Sequence, residues 1–479
     1  MAAAGYQRLD IEPKENIQLS ELVNDDRRPL LNTTTSQATL SSSGSITQLT
    51  KQCTLYTEDY DEQHATATSM SCIINLSNTI LGTGMLAMPS AMASVGLLPG
   101  IFLILFSALA SGTGLYFLSQ CAARTEGQRH SSFFAVSKLT WPKIGVLFDF
   151  AIAIKCFGVA VSYLIIIGDL MPQVITPFYT HEDGAYFLTD RRFWITVYML
   201  TLVLPLSFLR KLDSLKYTSL IALVAVIYLC VIVIYHYFSP IFSPLPKDSI
   251  DLISINTKIL GQLPLFVFAF TCHQNIFTVY NELKDNSKKG ISKVIIMSIG
   301  SSAFIYEAIA IIGYLSFGKN VRGNIIMEYP SSYFVAGGQF AIVMLVVFGY
   351  PLQAYPCRES LDKVISWCSS NLSSKENHRT TAYSSAFKYF AMTTTILICS
   401  YIVAICVTQL DLVLSFVGST GSTTISFILP GLFYYKIHEN DPWKPGKIIS
   451  VFLALYGIFV MTVCLLFNVT RLRVSNNIV

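Results

Sequence analysis

Apolar runs long enough to cross a bilayer, about 20 residues each, begin near residues 70, 97, 145, 193, 217, 262, 291, 333, 386, 411 and 448. Short polar stretches separate them. The pattern predicts an all-α membrane protein with about eleven transmembrane helices, in which residues 66–470 form one polytopic domain. Two of the runs are interrupted. Gly82-Thr83-Gly84 lies in the middle of the first, which extends from about Met70 to Val95, and Thr271-Cys272-His273-Gln274-Asn275 interrupts the sixth, Leu263 to Phe277. A glycine weakens a helix by about 1 kcal/mol, and hydrocarbon offers no water to the backbone groups a break sets free. Such a break survives where it faces a cavity or a ligand. A pair of them in corresponding positions of two halves points to the substrate site of a secondary transporter.

The segments outside the spans say less. Residues 1–65 are polar and rich in Ser, Thr, Asp and Glu, which predicts a disordered cytosolic tail. No apolar core follows the first few residues, so no cleavable signal peptide is expected. Within the tail, Asp26-Arg27-Arg28-Pro29-Leu30-Leu31 resembles an acidic dileucine sorting signal, with Asp26, Leu30 and Leu31 as the residues an adaptor would read. Ser131 to Pro142 is a short amphipathic piece, residues 370–382 a polar loop, and residues 471–479 a short non-cytosolic tail.

Composition supports the membrane reading. The chain of 479 residues is 52% apolar and 13% charged, about half the charge of a globular domain. The net charge of +4 comes from basic residues in short loops without interleaved aromatics, which excludes nucleic acid as a partner. With eleven spans, nineteen Lys and Arg fall on the side of the N-terminal tail and eight on the other. That bias places the N-terminus in the cytosol and the C-terminus in the lumen. The cysteines lie in the tail, in spans or at cytosolic ends, so no disulfide-stapled ectodomain is expected. No Ser/His/Asp, P-loop or metal-ligand spacing occurs in the loops, so neither an enzyme nor a cofactor is expected.

The first break can recognise a zwitterion. A half-helix starting at Gly84 directs its positive dipole end and free N–H groups at a carboxylate. The glycines allow close approach, and the carbonyls near Ile80 and Leu81 can accept from an ammonium or hold a small cation. Gly82, Thr83 and Gly84 are expected to face Phe270, Thr271 and Cys272 of the second break. Close helix packing by small residues is the competing explanation. Ionisable groups at membrane depth are functional candidates because they are costly to bury. Lys155, about midway along span three, can neutralise a buried carboxylate, stand in for a coupling cation or meet an acidic substrate; Glu307 in span seven is a possible partner. His273, in the second break, has a reference pKa of about 6.5, suited to sensing an acidic lumen.

The residues Asn75-Leu76-Ser77-Asn78, then Gly82, Gly84 and Leu86, resemble the amino acid/auxin permease family. Asp149 to Gln173 (DFAIAIKCFGVAVSYLIIIGDLMPQ), Leu263 to Asn275 (LPLFVFAFTCHQN) and Gly418 to Phe433 (GSTGSTTISFILPGLF) are similar to its fungal vacuolar exporter branch. The resemblance covers about residues 68–468. It implies a LeuT-like fold: spans one to five and six to ten as inverted repeats, plus an eleventh. It also implies proton-linked amino-acid transport from vacuole to cytosol, in a branch associated with acidic amino acids. Sodium-coupled members carry a Thr two residues before a span-eight proline. Here that position is Gly349, before Tyr350 and Pro351, which removes an oxygen ligand from a small hard cation. A sodium-coupled neutral amino-acid importer of the plasma membrane and an amino-acid sensor signalling through the tail are the alternatives. If the dileucine element sorts the protein, changing Leu30 and Leu31 to Ala will move a tagged chain from the vacuolar membrane towards the cell surface. Unchanged vacuolar fluorescence would remove the element from the sorting argument.

Overall fold

Hydrogen bonding in hydrocarbon must be satisfied within the chain, and helices do so here. The computed structural model describes residues 67–125, 129, 131–142, 145–178, 186–208, 218–239, 249–254, 256–372 and 382–476, all within one compact unit, Asp61–Val479. Asp26, Leu30 and Leu31 lie outside them. Among the described residues the only pairing of extended backbone is an isolated parallel bridge, Ala67 with Leu283. Eight described helices are long and apolar enough to cross a membrane, and one bent pair makes a ninth.

That pair is α1 (Ser69–Ile80) and α2 (Gly84–Val95), bent by 55°. There follow α3 (Leu97–Ala122), α4 (Gly145–Ile175) and α5 (Thr218–Phe238). The sixth run forms α6 (Lys258–Ala269) and α7 (Ile276–Glu282), separated by Phe270-Thr271-Cys272 and a 3-10 turn, His273–Asn275. Then come α8 (Lys288–Phe317), α9 (Tyr333–Leu372), α10 (Ala382–Cys406), α11 (Leu410–Val417), α12 (Leu429–Ile437) and α13 (Pro445–Phe459). The run expected near 193 is shorter than a full span: Arg191–Tyr198 continues through a π turn, Met199–Val203, into Leu204–Ser207. The expected amphipathic piece, Ser131 to Pro142, and the expected tail are both partly helical. Phe133–Leu139 is a short helix capped by Ser132, whose hydroxyl accepts from the Ala135 N–H at 3.1 Å. The segment expected as a tail from residue 471 continues the helix Leu465–Asn476, since Arg471 to Asn476 contains neither Gly nor Pro to stop it.

Burial separates interior from lipid-facing helices. In the apolar windows of Gly145–Phe178 and Leu410–Ile437, 83% and 78% of residues are buried, against 28% for Phe387–Cys406. α4 and the α11–α12 segment therefore run through the centre, and α10 lies against lipid. Between α11 and α12 the chain makes two π turns, Gly418–Ser422 and Thr424–Ile428, a distortion frequent at functional sites. Gly421 lets this segment lie on α4: a Cβ there would fall 2.7 Å from the Ala151 carbonyl oxygen and 2.9 Å from Lys155 Cβ.

The two ends of the bundle are held differently. At one end residues 251–254 close over the start of α3. Leu97 N–H and Leu98 N–H donate to the Asp251 and Leu252 carbonyls, and Ser254 N–H donates to Val95 O, each at 3.0 Å. Gly96 makes that turn at φ +90°, where an added Cβ would lie 2.8 Å from Ser254 N. At the other end Ala67 N–H donates to Glu282 O at 3.1 Å and Lys284 N–H to Ala67 O at 3.0 Å. Arg129 donates to the carbonyls of Asn281, Leu283 and Lys284 at 3.2, 2.9 and 3.2 Å. The starting end of α1 is thus fastened to the finishing end of α7.

Candidate functional site

The break between α1 and α2 is short and incompletely bonded. Gly82 N–H turns back to Ile80 O at 2.8 Å, Met85 N–H donates to Gly82 O at 3.3 Å and Leu86 N–H to Thr83 O at 3.2 Å. Among the described residues no hydrogen bond uses the N–H of Thr83 or Gly84. These two donors stand at the positive end of the α2 dipole. The Thr83 hydroxyl is buried and also without a partner.

Tyr306 of α8 joins this break to the one between α6 and α7. Its hydroxyl is fully buried and faces two carbonyls, donating to Ile80 O in a short hydrogen bond and lying 3.1 Å from Ala269 O. The ring meets Phe270 edge-on at 5.2 Å between centroids. Ile80 O is therefore committed within the protein. The two arms are tied a second time where Asn275 Nδ2 donates to Thr79 Oγ1 at 2.8 Å.

Two adjoining cavities open at the breaks. The outer, of about 210 Å³, is lined by Asn75, Asn78, Thr79, Leu81 and Gly82 of the first arm, Gln274 and Asn275 of the second, Ala222 of α5, Tyr163 of α4, and Leu345, Gly349, Leu352, Gln353 and Pro356 of α9. The inner, about 20 Å³, is lined by Ile80, Gly82, Thr83, Gly84, Lys155, Thr271 and Gln353 among others. Space for a water or two needs about 10–15 Å³ per probe sphere, so the inner cavity fits a carboxylate-sized group. The outer cavity lies on the side of the breaks where α1 begins and α7 ends.

The expected site residues divide. Ile80, Leu81, Gly82, Thr83, Gly84 and Thr271 line the cavities. Phe270 and Cys272 do not: both side chains are fully buried in the apolar core. Lys155 lines the inner cavity at 3% exposure, and no carboxylate of the described residues is within ion-pair distance. Glu307 does not meet it; next to Tyr306 on α8, it lines neither cavity and its carboxylate oxygens are buried without a partner. His273 is not in the cavity wall either. It is fully buried, with Nδ1 3.0 Å from Ser426 Oγ, and Ser426 donates at 3.3 Å to Thr271 Oγ1. A chain of polar groups thus runs from His273 to the inner cavity. Tyr163 and Gln353 are cavity residues that sequence reasoning missed, because an amide or a phenol in an apolar span carries no periodic signal; Gln274 belongs to the polar interruption but is not among its expected site residues. Gly349 is explained by one of them: a Cβ there would fall 3.0 Å from Tyr163 Cε2 and 3.4 Å from its hydroxyl.

Residues 65–473 match the family described as transmembrane amino acid transporter protein. Vacuolar amino acid transporter 5 of Schizosaccharomyces pombe is 43% identical over 84% of this chain and 94% of its own length. Vacuolar amino acid transporter 6 of Saccharomyces cerevisiae is 37% identical over 83% of this chain and 98% of its own. Sodium-coupled neutral amino acid symporter 2 of Danio rerio is 27% identical over 81% of this chain and 80% of its own.

The two glycines of the first break respond differently to a side chain. A Cβ at Gly84 would lie 3.2 Å from Ala269 Cα, whereas at Gly82 the nearest atom would be 4.0 Å away. Gly84→Val should disturb assembly as well as flux. Gly82→Val fills the cavity alone, and should cut flux roughly tenfold or more, about 1.4 kcal/mol, at normal abundance and a normal size-exclusion profile in detergent. Wild-type flux in Gly82→Val would move the substrate elsewhere.

Proposed function

From a chain that belongs to the transmembrane amino acid transporter family, also called the amino acid/auxin permeases, we propose secondary active transport of amino acids across the vacuolar membrane, from lumen to cytosol. The observation that carries the reading is the pair of broken helices enclosing a cavity with two unused backbone donors at the α2 N-terminus. Such broken helices occur at the midplane binding sites of inverted-repeat transporters. The names of the fungal relatives support the vacuolar assignment, as does the dileucine element in the tail. The outer cavity lies at the end of the bundle that the Lys and Arg bias assigns to the cytosol, where a lumen-to-cytosol cycle would release its substrate.

Acidic amino acids are the proposed substrates. Lys155 supplies a cation to the inner cavity, where Thr83 and Gly84 offer N–H groups. Together these suit a carboxylate held at the inner cavity, and the outer cavity has the volume for the rest of an acidic amino acid. Coupling is to protons. His273 reaches the inner cavity through Ser426 and Thr271, and the Glu307 carboxyl is a second titratable group at membrane depth. Sodium coupling lacks support: Gly349 offers no ligand, and Tyr163 takes the space a side chain there would need.

The test is flux in proteoliposomes or vacuolar vesicles, with the pH gradient and sodium varied independently. Glutamate flux should follow the pH gradient, ignore sodium, and fall by roughly tenfold or more, about 1.4 kcal/mol, in Lys155→Met and in His273→Ala. Sodium-dependent flux indifferent to pH would overturn the coupling, and a preference for neutral or basic amino acids would overturn the substrate class.

A further inference from the structure

The breaks offer donors for an anion, and the acceptors for a cation lie elsewhere. Of the backbone carbonyls at the junction of the two arms, those of Ile80 and Ala269 both face the Tyr306 hydroxyl. Ile80 O also receives Gly82 N–H. An ammonium arriving there would have to displace bonds already made in a fully buried place.

Two residues that line the outer cavity carry side-chain acceptors without a partner. Gln274 Oε1 and Gln353 Oε1 are both buried and without a hydrogen-bond partner, and both residues line this cavity. Leaving such a group unpaired costs about 1–3 kcal/mol, which a ligand donor restores. Their neighbour Asn275 is held in place by its Nδ2, which donates to Thr79 Oγ1 at 2.8 Å, and its oxygen is not among the buried acceptors without a partner. The carbonyl of Leu81, in the same wall, accepts no hydrogen bond among the described residues. It supplies a third acceptor for the three donors of an ammonium.

Charge orients the ligand in the same sense. Lys155 lies on the inner cavity, and among the described residues no Asp or Glu lines either cavity. A zwitterion therefore enters with its carboxylate towards Lys155 and the free N–H groups of Thr83 and Gly84. Its ammonium, repelled by Lys155, stays on the outer side. Gln353 borders both cavities and Gln274 only the outer one, so the pair sits where that ammonium is left.

We propose that the side-chain amides of Gln274 and Gln353 bind the α-ammonium of the transported amino acid, in place of the carbonyls that Tyr306 closes. The assignment rests on the amino-acid transport reading and adds to it the group that distinguishes an amino acid from the corresponding carboxylic acid.

The experiment compares a substrate with its analogue lacking the amine. In proteoliposomes, L-glutamate uptake and its inhibition by glutarate are measured for wild type, Gln274→Met and Gln353→Met. The KM for glutamate should rise about tenfold in each variant, as for a lost hydrogen bond to a charged group, while inhibition by glutarate changes less than about twofold. Gln274→Glu, distant enough from Lys155 to line only the outer cavity, should lower the KM instead. An equal loss for glutarate and glutamate overturns the proposal, as does an unchanged KM in both Met variants. Because every amino acid carries the amine, L-alanine against propionate gives the same answer in a protein that does not carry glutamate. Failure of the acidic-substrate reading is thereby separated from failure of this one.

Discussion

Lipid cannot hydrogen-bond to a peptide group, so every backbone donor and acceptor released by a broken helix must find its partner inside the protein. The rest of this structure depends on how that demand is met at two places. Tyr306 meets part of it by setting one hydroxyl between the carbonyls of Ile80 and Ala269. Gly82 meets another part by folding its N–H back on Ile80. The N–H groups of Thr83 and Gly84 are left over, and they are left over together, beside a cavity, at the start of a twelve-residue helix. Incomplete satisfaction confined to one spot is how a membrane protein makes a binding site from its main chain.

Charge is distributed by the same economy. Lys155 comes from the most buried long helix, where Gly421 of the π-turn segment brings a second backbone against it. The cation has no carboxylate beside it among the described residues, and the cavity it borders has room for one. The outer cavity is different in character: amides, hydroxyls and glycines beside apolar residues such as Leu345 and Leu352, with no ionisable side chain except the Tyr163 phenol. An amine sits at the inner end of the path, and uncharged side chains line the wider part.

Much of this was legible in the sequence, for physical reasons. Long apolar runs in a chain with few charges admit little besides helices. A described helix starts near each expected position, although Arg191–Ser207 is short and α6–α7 is interrupted. Gly82-Thr83-Gly84 was readable because glycine in an apolar helix is costly unless it is used. Thr271 was found through its place in a polar interruption, yet its neighbours Phe270 and Cys272 point into the core. Three residues of irregular backbone face three directions, and no periodicity assigns them. His273 and Glu307 were marked by their chemistry, but titratable character does not reveal distance. One proves to be a step removed from the cavity behind Ser426, the other next to Tyr306 on α8 but outside both cavity walls and without a partner. Tyr306 escaped notice because tyrosine is an ordinary residue of a transmembrane helix.

The ties between the arms that flank the outer cavity have a mechanical meaning. α1 and α7 are joined near the breaks by Asn275 and Thr79, and at their far ends by the backbone pairing of Ala67 with Glu282 and Lys284, reinforced by Arg129. Two rails fixed by a rung at each end keep their spacing. While both rungs hold, the gap from Asn75 to Gln274 is constant, and the space between the rails and α9 has to change by movement of the opposite wall, where Tyr163 leans on Gly349. Aperture in this protein is then set by a phenol ring against a glycine, a contact that tolerates sliding because one of its partners has no side chain to interlock.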